Sequence, residues 1–266
     1  MTSLPALEEQ LASLGLAGRR VVFHTAFRAV GEVEGGIDGY LSVLTRLCPT
    51  VAAPGFTFES TIHPPDDDHP ERNGFDYAKR WISPSIPFDP RTASIDPRMG
   101  IFPRKLAALP GAARSGHPWN SWVAWGEGAE AMTIPHPWDQ PHRPMEWLEA
   151  HDGWVALVGV GLESCSALHL AEQRAGRRPF IRWAVDGEGK TRRVRVAGCG
   201  NGFPALRDDL HSLFHKGPLG TATVWVAPLR KLIPAAARLL VEMPSLTVCS
   251  PTCLKCQDGS AGGPLD

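Results

Sequence analysis

The stretch Trp154-Val-Ala-Leu-Val-Gly-Val160 decides the fold class, because it is the clearest strand signal in the chain. A continuous apolar run of this length is typical of a strand buried on both faces of a sheet. Gly161 and Ser164 follow it, and helical spacing then runs over residues 165–174. A strand that leads through a loop into a helix predicts an α/β sheet, with a ligand site at that loop and helix start.

Residues 20–54 repeat this order of elements. RVVFHT (20–25) predicts a buried strand, a helix is predicted at 37–47, and TVAAP (50–54) predicts a second strand. Strand, helix and strand in succession predict a βαβ unit with a parallel pair. Further helices are predicted at 4–16, 103–109, 204–215 and 228–242, a strand at 221–226 and a hairpin at 180–197. We therefore expect one α/β domain with a central, partly parallel sheet flanked by helices.

Composition limits the classes of partner. The 266 residues are 43% hydrophobic and carry a net charge of −1, which argues against nucleic acid and anionic membranes as partners. No apolar run reaches the length of a membrane helix, and the N-terminus lacks the basic start of a secretion signal. A cytoplasmic protein is expected. We divide the chain into a domain at 1–248 and a cysteine-containing tail at 249–266, which we expect to be disordered after 257.

Two short segments carry the chemistry. His117 lies in the loop-like Arg114-Ser-Gly-His-Pro118, and Ser166, His169 and Glu172 follow the strand at steps of three, on one helical face. A base, an orienting acid and a hydroxyl are the parts of proton-transfer chemistry. Structural alternatives stay open: a loop histidine bonded to a backbone carbonyl, a helix N-cap at Ser166 and an exposed carboxylate at Glu172.

The chain resembles the aminoglycoside 3-N-acetyltransferase family of antibiotic N-acetyltransferases, a fold distinct from the GNAT acetyltransferases. The resemblance covers about residues 20 to 245 and rests on the order and spacing of several motifs. These motifs are Val22-Phe-His-Thr-Ala-Phe-Arg-Ala-Val-Gly31, Ala53-Pro-Gly-Phe-Thr57, Pro87-Phe-Asp-Pro90 with Met99-Gly100, Pro110-Gly111 with Arg114-Ser-Gly-His-Pro118, and Gly159-Val-Gly161 through Leu168-His-Leu-Ala-Glu172. The sequence departs from the family pattern at Thr25-Ala26 and at Cys165-Ser166.

The resemblance implies an enzyme that moves an acetyl group from acetyl-CoA directly to an amine of an aminoglycoside. It assigns the general base to His117, proton handling to Glu172, and contact with the thioester oxygen to Ser166. A related enzyme acting on another amine and a non-catalytic CoA- or metal-binding protein remain as alternatives. A thiol acceptor at Cys165 offers a second, ping-pong mechanism.

The resemblance also implies two binding regions, for CoA and for the small-molecule amine. The candidates for CoA are His24, Thr25, Ala26, Phe27, Arg28, Gly35, Gly36, Arg114 and Ser115. The candidates for the amine are Asp66, Asp67, Asp68, Phe75 and His169, although a run of acidic residues is also typical of a solvated surface.

The tail contains Cys249, Cys253 and Cys256 in a Cys-x3-Cys-x2-Cys pattern. Three thiolates at this spacing occur in iron–sulfur enzymes, but a position beyond the last helix is wrong for them. A zinc site needs a fourth ligand, and nothing nearby in the sequence supplies one. The sequence therefore favours free or oxidisable thiols over a metal site.

Overall fold

The computed structural model describes residues 1–82 and 85–265. Its centre is formed by β1 (Arg20–Thr25), which pairs in parallel with β2 (Thr50–Pro54) on one side and with β6 (Trp154–Val158) on the other. Antiparallel strands extend this trio at both edges. The seven strands lie in the order β4 (Ala113–Arg114), β5 (Trp122–Gly126), β2, β1, β6, β10 (Ala222–Pro228) and β9 (His215–Leu219). The predicted partly parallel sheet and its βαβ unit are confirmed.

Helices cover both faces of this sheet. In chain order they are α1 (Leu4–Ser13), α2 (Phe27–Val30), α3 (Gly36–Leu47), α4 (Ile101–Ala107), α5 (Ala129–Thr133), α6 (Arg143–Ala150), α7 (Ala167–Arg174), α8 (Arg207–Leu210), α9 (Leu229–Glu242) and α10 (Leu254–Ser260). Short 3-10 turns lie at Pro97–Met99, Leu162–Ser164, Phe203–Leu206 and His211–Leu213. Among the described residues, no helix combines the length and apolar character that crossing a membrane requires.

Alternate side chains of β6 enter two different cores. Val155 and Leu157 pack with residues of α7 and α9, whereas Ala156 and Val158 pack with residues of α1 and α3. All four are buried. The strand is apolar without interruption because both of its faces are covered.

Gly159 ends β6 where the strand meets the turn after β1. Its φ of +65° is unfavourable for other residues, and a Cβ there would lie 2.4 Å from Cβ of Ala29. Glycine thus lets the chain after β6 pass close to α2, which follows β1. The loop that leads into α7 starts from this point.

A second, three-stranded antiparallel sheet contains β3 (Thr61–Ile62), β7 (Phe180–Val185) and β8 (Thr191–Val196). The predicted hairpin at 180–197 is confirmed as β7 and β8. Its third strand comes from the proline-rich segment after β2, which is therefore ordered where the structure describes it. Residues 83 and 84 of that segment lie outside the described residues.

The structure differs from the sequence-based predictions in several regions, which include the unpredicted helices α5 and α6. Residues 204–215 form short helical turns that end in β9, instead of one helix, and β4 and β5 were not predicted. The tail was expected to be disordered after 257, but α10 extends to Ser260. The carboxylate of Asp258 anchors it by accepting a hydrogen bond of 2.7 Å from the backbone N–H of Gly74.

Leu157→Ala should strongly destabilise the protein, because Leu157 is 1% exposed at the centre of the sheet. Removing a buried leucine side chain typically costs about 2–5 kcal/mol, depending on how far the cavity collapses. Val241→Ala, at a position that is 60% exposed on α9, should change stability by less than about 0.5 kcal/mol. Urea unfolding of both variants checks this, and equal midpoints would contradict the placement of β6.

Candidate active site

A cavity of about 810 Å³ opens at the carboxyl ends of β1 and β6. Its walls come from the turn after β1, the segment after β2, the start of α4, the loop before α7 and the end of β8. A cavity of this size lies within the range of roughly 300–1,000 Å³ that is usual for small-molecule sites. The open α/β sheet thus has its cavity where the predicted topology expects a ligand.

His169 and Glu172 form a hydrogen-bonded pair at this cavity. Nδ1 of His169 lies 2.7 Å from Oε2 of Glu172, one turn further along α7. Because a carboxylate accepts hydrogen bonds, Nδ1 carries a proton, and in the neutral ring Nε2 presents its lone pair. Nε2 makes no hydrogen bond to a described residue, and His169 lines the cavity. The predicted helical face therefore brings an oriented imidazole to the cavity.

Arg177 holds the other oxygen of Glu172. Its Nη1 donates to Oε1 of Glu172 over 2.6 Å and to Oγ1 of Thr247 over 3.0 Å, and its Nη2 donates to the carbonyl of Pro244 over 2.7 Å. The Glu172 and Arg177 side chains are 13% and 10% exposed. A buried carboxylate needs such partners to offset the loss of hydration. Glu172 is therefore fixed on both sides.

The position of His117 does not fit the role of general base that was expected for it. The ring is fully buried, and its Nδ1 accepts hydrogen bonds from the backbone N–H groups of Trp119 (3.2 Å) and Asn120 (2.9 Å). Its Nε2 lies 3.0 Å from the carbonyl of Arg195, to which it donates. Both nitrogens are occupied and the ring does not line the cavity, so no lone pair of His117 faces an amine there. The loop-anchoring alternative fits this geometry.

Two further imidazoles flank His169. His142 stacks on it with ring centroids 6.3 Å apart and planes 10° apart. Burial lowers the pKa of His142 to about 3, and repulsion by His169 and His136 adds to the shift. Burial, with a smaller contribution from His169, likewise lowers the pKa of His24 to about 3. Both neighbours are therefore neutral near pH 7.

Ser166 and Cys165 precede α7. Ser166 occupies the N-cap position, but its hydroxyl makes no capping hydrogen bond, and the residue lines the cavity. The hydroxyl thus remains available to a ligand. Cys165 is 1% exposed, and burial raises the pKa of its thiol to about 12. A thiol in this environment is a poor nucleophile, which disfavours the ping-pong alternative.

The candidates for CoA separate into two groups. His24, Thr25, Ala26, Phe27 and Arg28 line the cavity. Gly35, Gly36, Arg114 and Ser115 do not line it. Gly35 and Gly36 begin α3 with positive φ angles, which fits an ordinary helix start.

Arg114 and Ser115 instead stabilise the loop around His117. Arg114 donates to the carbonyl of Gly55 over 2.8 Å, and Oγ of Ser115 accepts from the backbone N–H of Trp122, also over 2.8 Å. Because their polar groups are engaged within the protein, they are not positioned to bind a ligand in the cavity.

The acidic run expected to bind the amine lies elsewhere. Asp66 pairs with Arg80 at 2.9 Å, and Asp68 accepts from Trp183 Nε1 at 2.7 Å. Asp67 is exposed. Phe75 packs against the Trp183 ring with centroids 6.3 Å apart. These contacts organise the second sheet and its surface, and none of these residues lines the cavity.

Several cavity residues were not predicted from the sequence. They are Phe58, Arg98, Arg104, Trp119, Asn120, Glu163 and Lys255. Phe58, Trp119 and Asn120 lie in irregular segments, where spacing carries no information about the direction of a side chain, and the other four lie in short helices or 3-10 turns. The Met99-Gly100 motif flanked by basic residues is the one signal that could have indicated Arg98 and Arg104.

The chain is similar to known acetyltransferases in sequence and in fold. The family profile described as aminoglycoside 3-N-acetyltransferase matches residues 22–241. Aminoglycoside N(3)-acetyltransferase VII of Streptomyces paromomycinus is 36% identical over 198 residues, which cover 70% of this chain and 68% of that protein. A binary complex of AAC-IIIb with CoASH superposes with a TM-score of 0.74 at 24% identity, covering 91% of this chain and 97% of that one.

A further neighbour is a mutant of aminoglycoside acetyltransferase AAC(3)-IVa in complex with a gentamicin. Its TM-score is 0.72 at 26% identity, and the match covers 98% of this chain and 97% of that chain. The likeness therefore includes the segments that line the cavity.

His142→Gln should make the free energy of unfolding depend less on pH at acidic pH. The pKa of His142 is about 3 in the folded protein against 6.5 for an ordinary histidine, so the unfolded chain binds the extra proton between these values. Neutral, buried His142 contributes to the free energy of unfolding above pH 6.5. This contribution is lost as the pH falls towards 3, by about 1.4 kcal/mol per pH unit. Urea unfolding at several pH values below about 6 should show this slope reduced in the variant.

The matched control is His215→Gln, which removes an exposed imidazole from β9. The free energy of unfolding of this variant should change with pH by the same slope as in the wild-type protein. An unchanged slope in His142→Gln would contradict the neutral, buried state of His142.

Proposed function

The chain belongs to the aminoglycoside 3-N-acetyltransferase family, and we propose that His169, oriented by Glu172, is the general base of its reaction. The enzyme transfers an acetyl group from acetyl-CoA to an amine of an aminoglycoside, the 3-amino group for which the family is named. One observation carries the assignment of the base: the hydrogen bond of 2.7 Å between His169 and Glu172 at the wall of the cavity.

The base removes a proton from the attacking amine. The nitrogen lone pair adds to the thioester carbonyl, and the proton moves to Nε2 of His169. The resulting imidazolium is stabilised by the Glu172 carboxylate at Nδ1. A positioned base of this kind typically accelerates a reaction about 10²–10⁴-fold.

The tetrahedral intermediate then collapses. Its oxyanion reforms the carbonyl, the C–S bond breaks, and the CoA thiolate takes up the proton from His169. Ser166 supports this step, because its unused hydroxyl at the start of α7 can donate a hydrogen bond to the oxyanion. His24 and His142 are neutral near pH 7, so they place no positive charge beside the imidazolium that forms at His169.

The phosphates of CoA need cations at the mouth of the cavity. Arg28, Arg98 and Arg104 are exposed residues that line it. Arg98 is paired with Asp96 at 2.8 Å, and Arg104 donates to the carbonyl of Gly100 over 3.1 Å, whereas the Arg28 side chain has no ion-pair or hydrogen-bond partner among the described residues. We therefore assign Arg28 to a phosphate, together with the neighbouring turn 24–27. We place the enzyme in the cytoplasm, where acetyl-CoA is available.

The amine side of the cavity contains Glu163, Phe58 and Trp119. Glu163 is an exposed carboxylate, which is suited to an ammonium group of a polycationic acceptor. The two aromatic rings pack edge-to-face with centroids 5.1 Å apart and offer an apolar surface for a sugar ring. These residues replace Asp66, Asp67 and Asp68 as our candidates for acceptor binding.

His169→Asn should lower kcat about 10²–10⁴-fold, because it removes the base and leaves the fold in place. The assay measures thiol release from acetyl-CoA in the presence and absence of an aminoglycoside, and release should require the amine.

The His117→Asn variant distinguishes the role of His117 from that of His169. It should lower the melting temperature, because it breaks the buried hydrogen bonds to residues 119, 120 and 195, while the folded fraction keeps kcat within about tenfold of wild type. If His117→Asn removed activity in folded protein and His169→Asn did not, the base would be His117 and our assignment would be wrong.

Arg28→Ala should raise the KM for acetyl-CoA about tenfold or more, because a charge-assisted hydrogen bond contributes about 1.5–3 kcal/mol. With S-acetylpantetheine, which lacks the CoA phosphates, the variant and the wild type should have equal KM values. Arg46→Ala is the matched control, since Arg46 is exposed on α3 and paired with Glu8. A KM difference that persists with the truncated substrate would contradict the phosphate role.

A further inference from the structure

Four cysteine side chains converge beside the cavity, and we propose that Cys199, Cys249, Cys253 and Cys256 bind one structural zinc ion. The tail supplies three of these thiols in its Cys-x3-Cys-x2-Cys pattern. The fold supplies the fourth ligand, Cys199, from the loop after β8, which lies 50 residues away from Cys249 in sequence. The sequence alone had not revealed this partner.

The distances suit a tetrahedral ion. All four Sγ atoms lie within 4.8 Å of one another, with Cys249 at 3.4 Å from Cys256 and 4.0 Å from Cys199. A Zn–S bond of about 2.3 Å requires tetrahedral sulfurs about 3.8 Å apart. All four are free thiols, and sulfurs in a disulfide would lie about 2.05 Å apart. The sulfurs surround a space for one ion.

The local backbone presents these thiols in a way that is usual for structural zinc. Cys253 is the N-cap of α10, and Cys256 lies in the first turn of that helix, so both sulfurs project from the same helix start. The backbone N–H of Cys256 points at Sγ of Cys253, and that of Asn201 points at Sγ of Cys199. Such N–H···S contacts orient and stabilise metal-bound thiolates.

Glycines allow the two segments to approach. A Cβ at Gly202 would lie 1.8 Å from the carbonyl oxygen of Thr247, and one at Gly200 would lie 2.5 Å from that of Glu163. The loop that carries Cys199 is therefore pressed against the segment that leads to Cys249. Lys255, between two of the ligands in sequence, is half-buried nearby and offsets part of the charge of four thiolates.

The proposed ion connects the two segments that support the catalytic pair. Cys199 follows Gly198, at which a Cβ would lie 3.7 Å from Oε2 of Glu172. Cys249 lies two positions after Thr247, which accepts a hydrogen bond from Arg177, the partner of Glu172. The ion thus fixes the wall behind Glu172 without touching substrate. Its role is structural.

The test measures the metal directly, on protein purified without a metal-affinity tag or chelator. Mass-spectrometric elemental analysis should find one zinc per chain. Cys199→Ser and Cys253→Ser should each lower the zinc content about tenfold or more, because each removes one of four thiolate ligands. The matched control is Cys48→Ala, which changes a buried thiol at the end of α3 and should keep one zinc per chain.

A second measurement on the wild-type protein keeps the proposal testable if the variants do not fold. Titration with a mercurial reagent should release one zinc as four thiols react. Replacement of zinc by Co²⁺ should give the visible absorption of tetrahedral cobalt thiolate. Four reactive thiols without metal, two disulfides, or iron with cluster absorption would each overturn the proposal. None of these results depends on acetyltransferase activity.

Discussion

The carboxylate of Glu172 is the point on which the site depends, because its two oxygens join parts of the chain that are remote in sequence. One oxygen orients the imidazole of His169, and the other is held by Arg177, which also bonds to Thr247 and Pro244. A buried carboxylate is costly unless both oxygens are paired. Helix α7, the segment before the tail and the loop after β8 must therefore meet around this one group. The buried strand β6 provides the rigid support from which α7 starts.

Periodicity predicted the parts of the fold that have strong local signals. The strands β1, β2 and β6 and the helices α1, α3, α7 and α9 follow from apolar runs and helical spacing, because burial of those faces dictates the pattern. The strand β4 was missed because it has only two residues, and β5 was missed because it lies among glycine and proline residues. The second sheet was only half predicted, since its third strand, β3, has two residues and pairs with Trp183 and Ala184, which lie far along the chain.

Local spacing was informative for the residues of α7, whereas most of the candidate residues from other segments do not line the cavity. Spacing placed Ser166, His169 and Glu172 on one face correctly, because the steps of a helix are local. It could not show that both nitrogens of His117 are engaged by backbone groups, nor that Asp66 and Asp68 are paired with basic side chains. The same limit concealed Cys199 as a neighbour of the tail cysteines. The direction of a side chain and its distance from a remote segment depend on tertiary packing, which cannot be read from the sequence of one segment.

The walls of the cavity have two different origins. The hydrogen-bonded pair of His169 and Glu172 rests on α7 and the buried centre of the sheet, whereas Phe56, Phe58 and Arg98 come from the long proline-rich segment after β2. Changes in irregular surface segments are tolerated more easily than changes in a packed core. Mutational drift in that segment can therefore alter which acceptor is accommodated while α7 keeps the chemistry intact. A new antibiotic would therefore select for changes in the proline-rich segment, and the reaction itself would be inherited unchanged with α7.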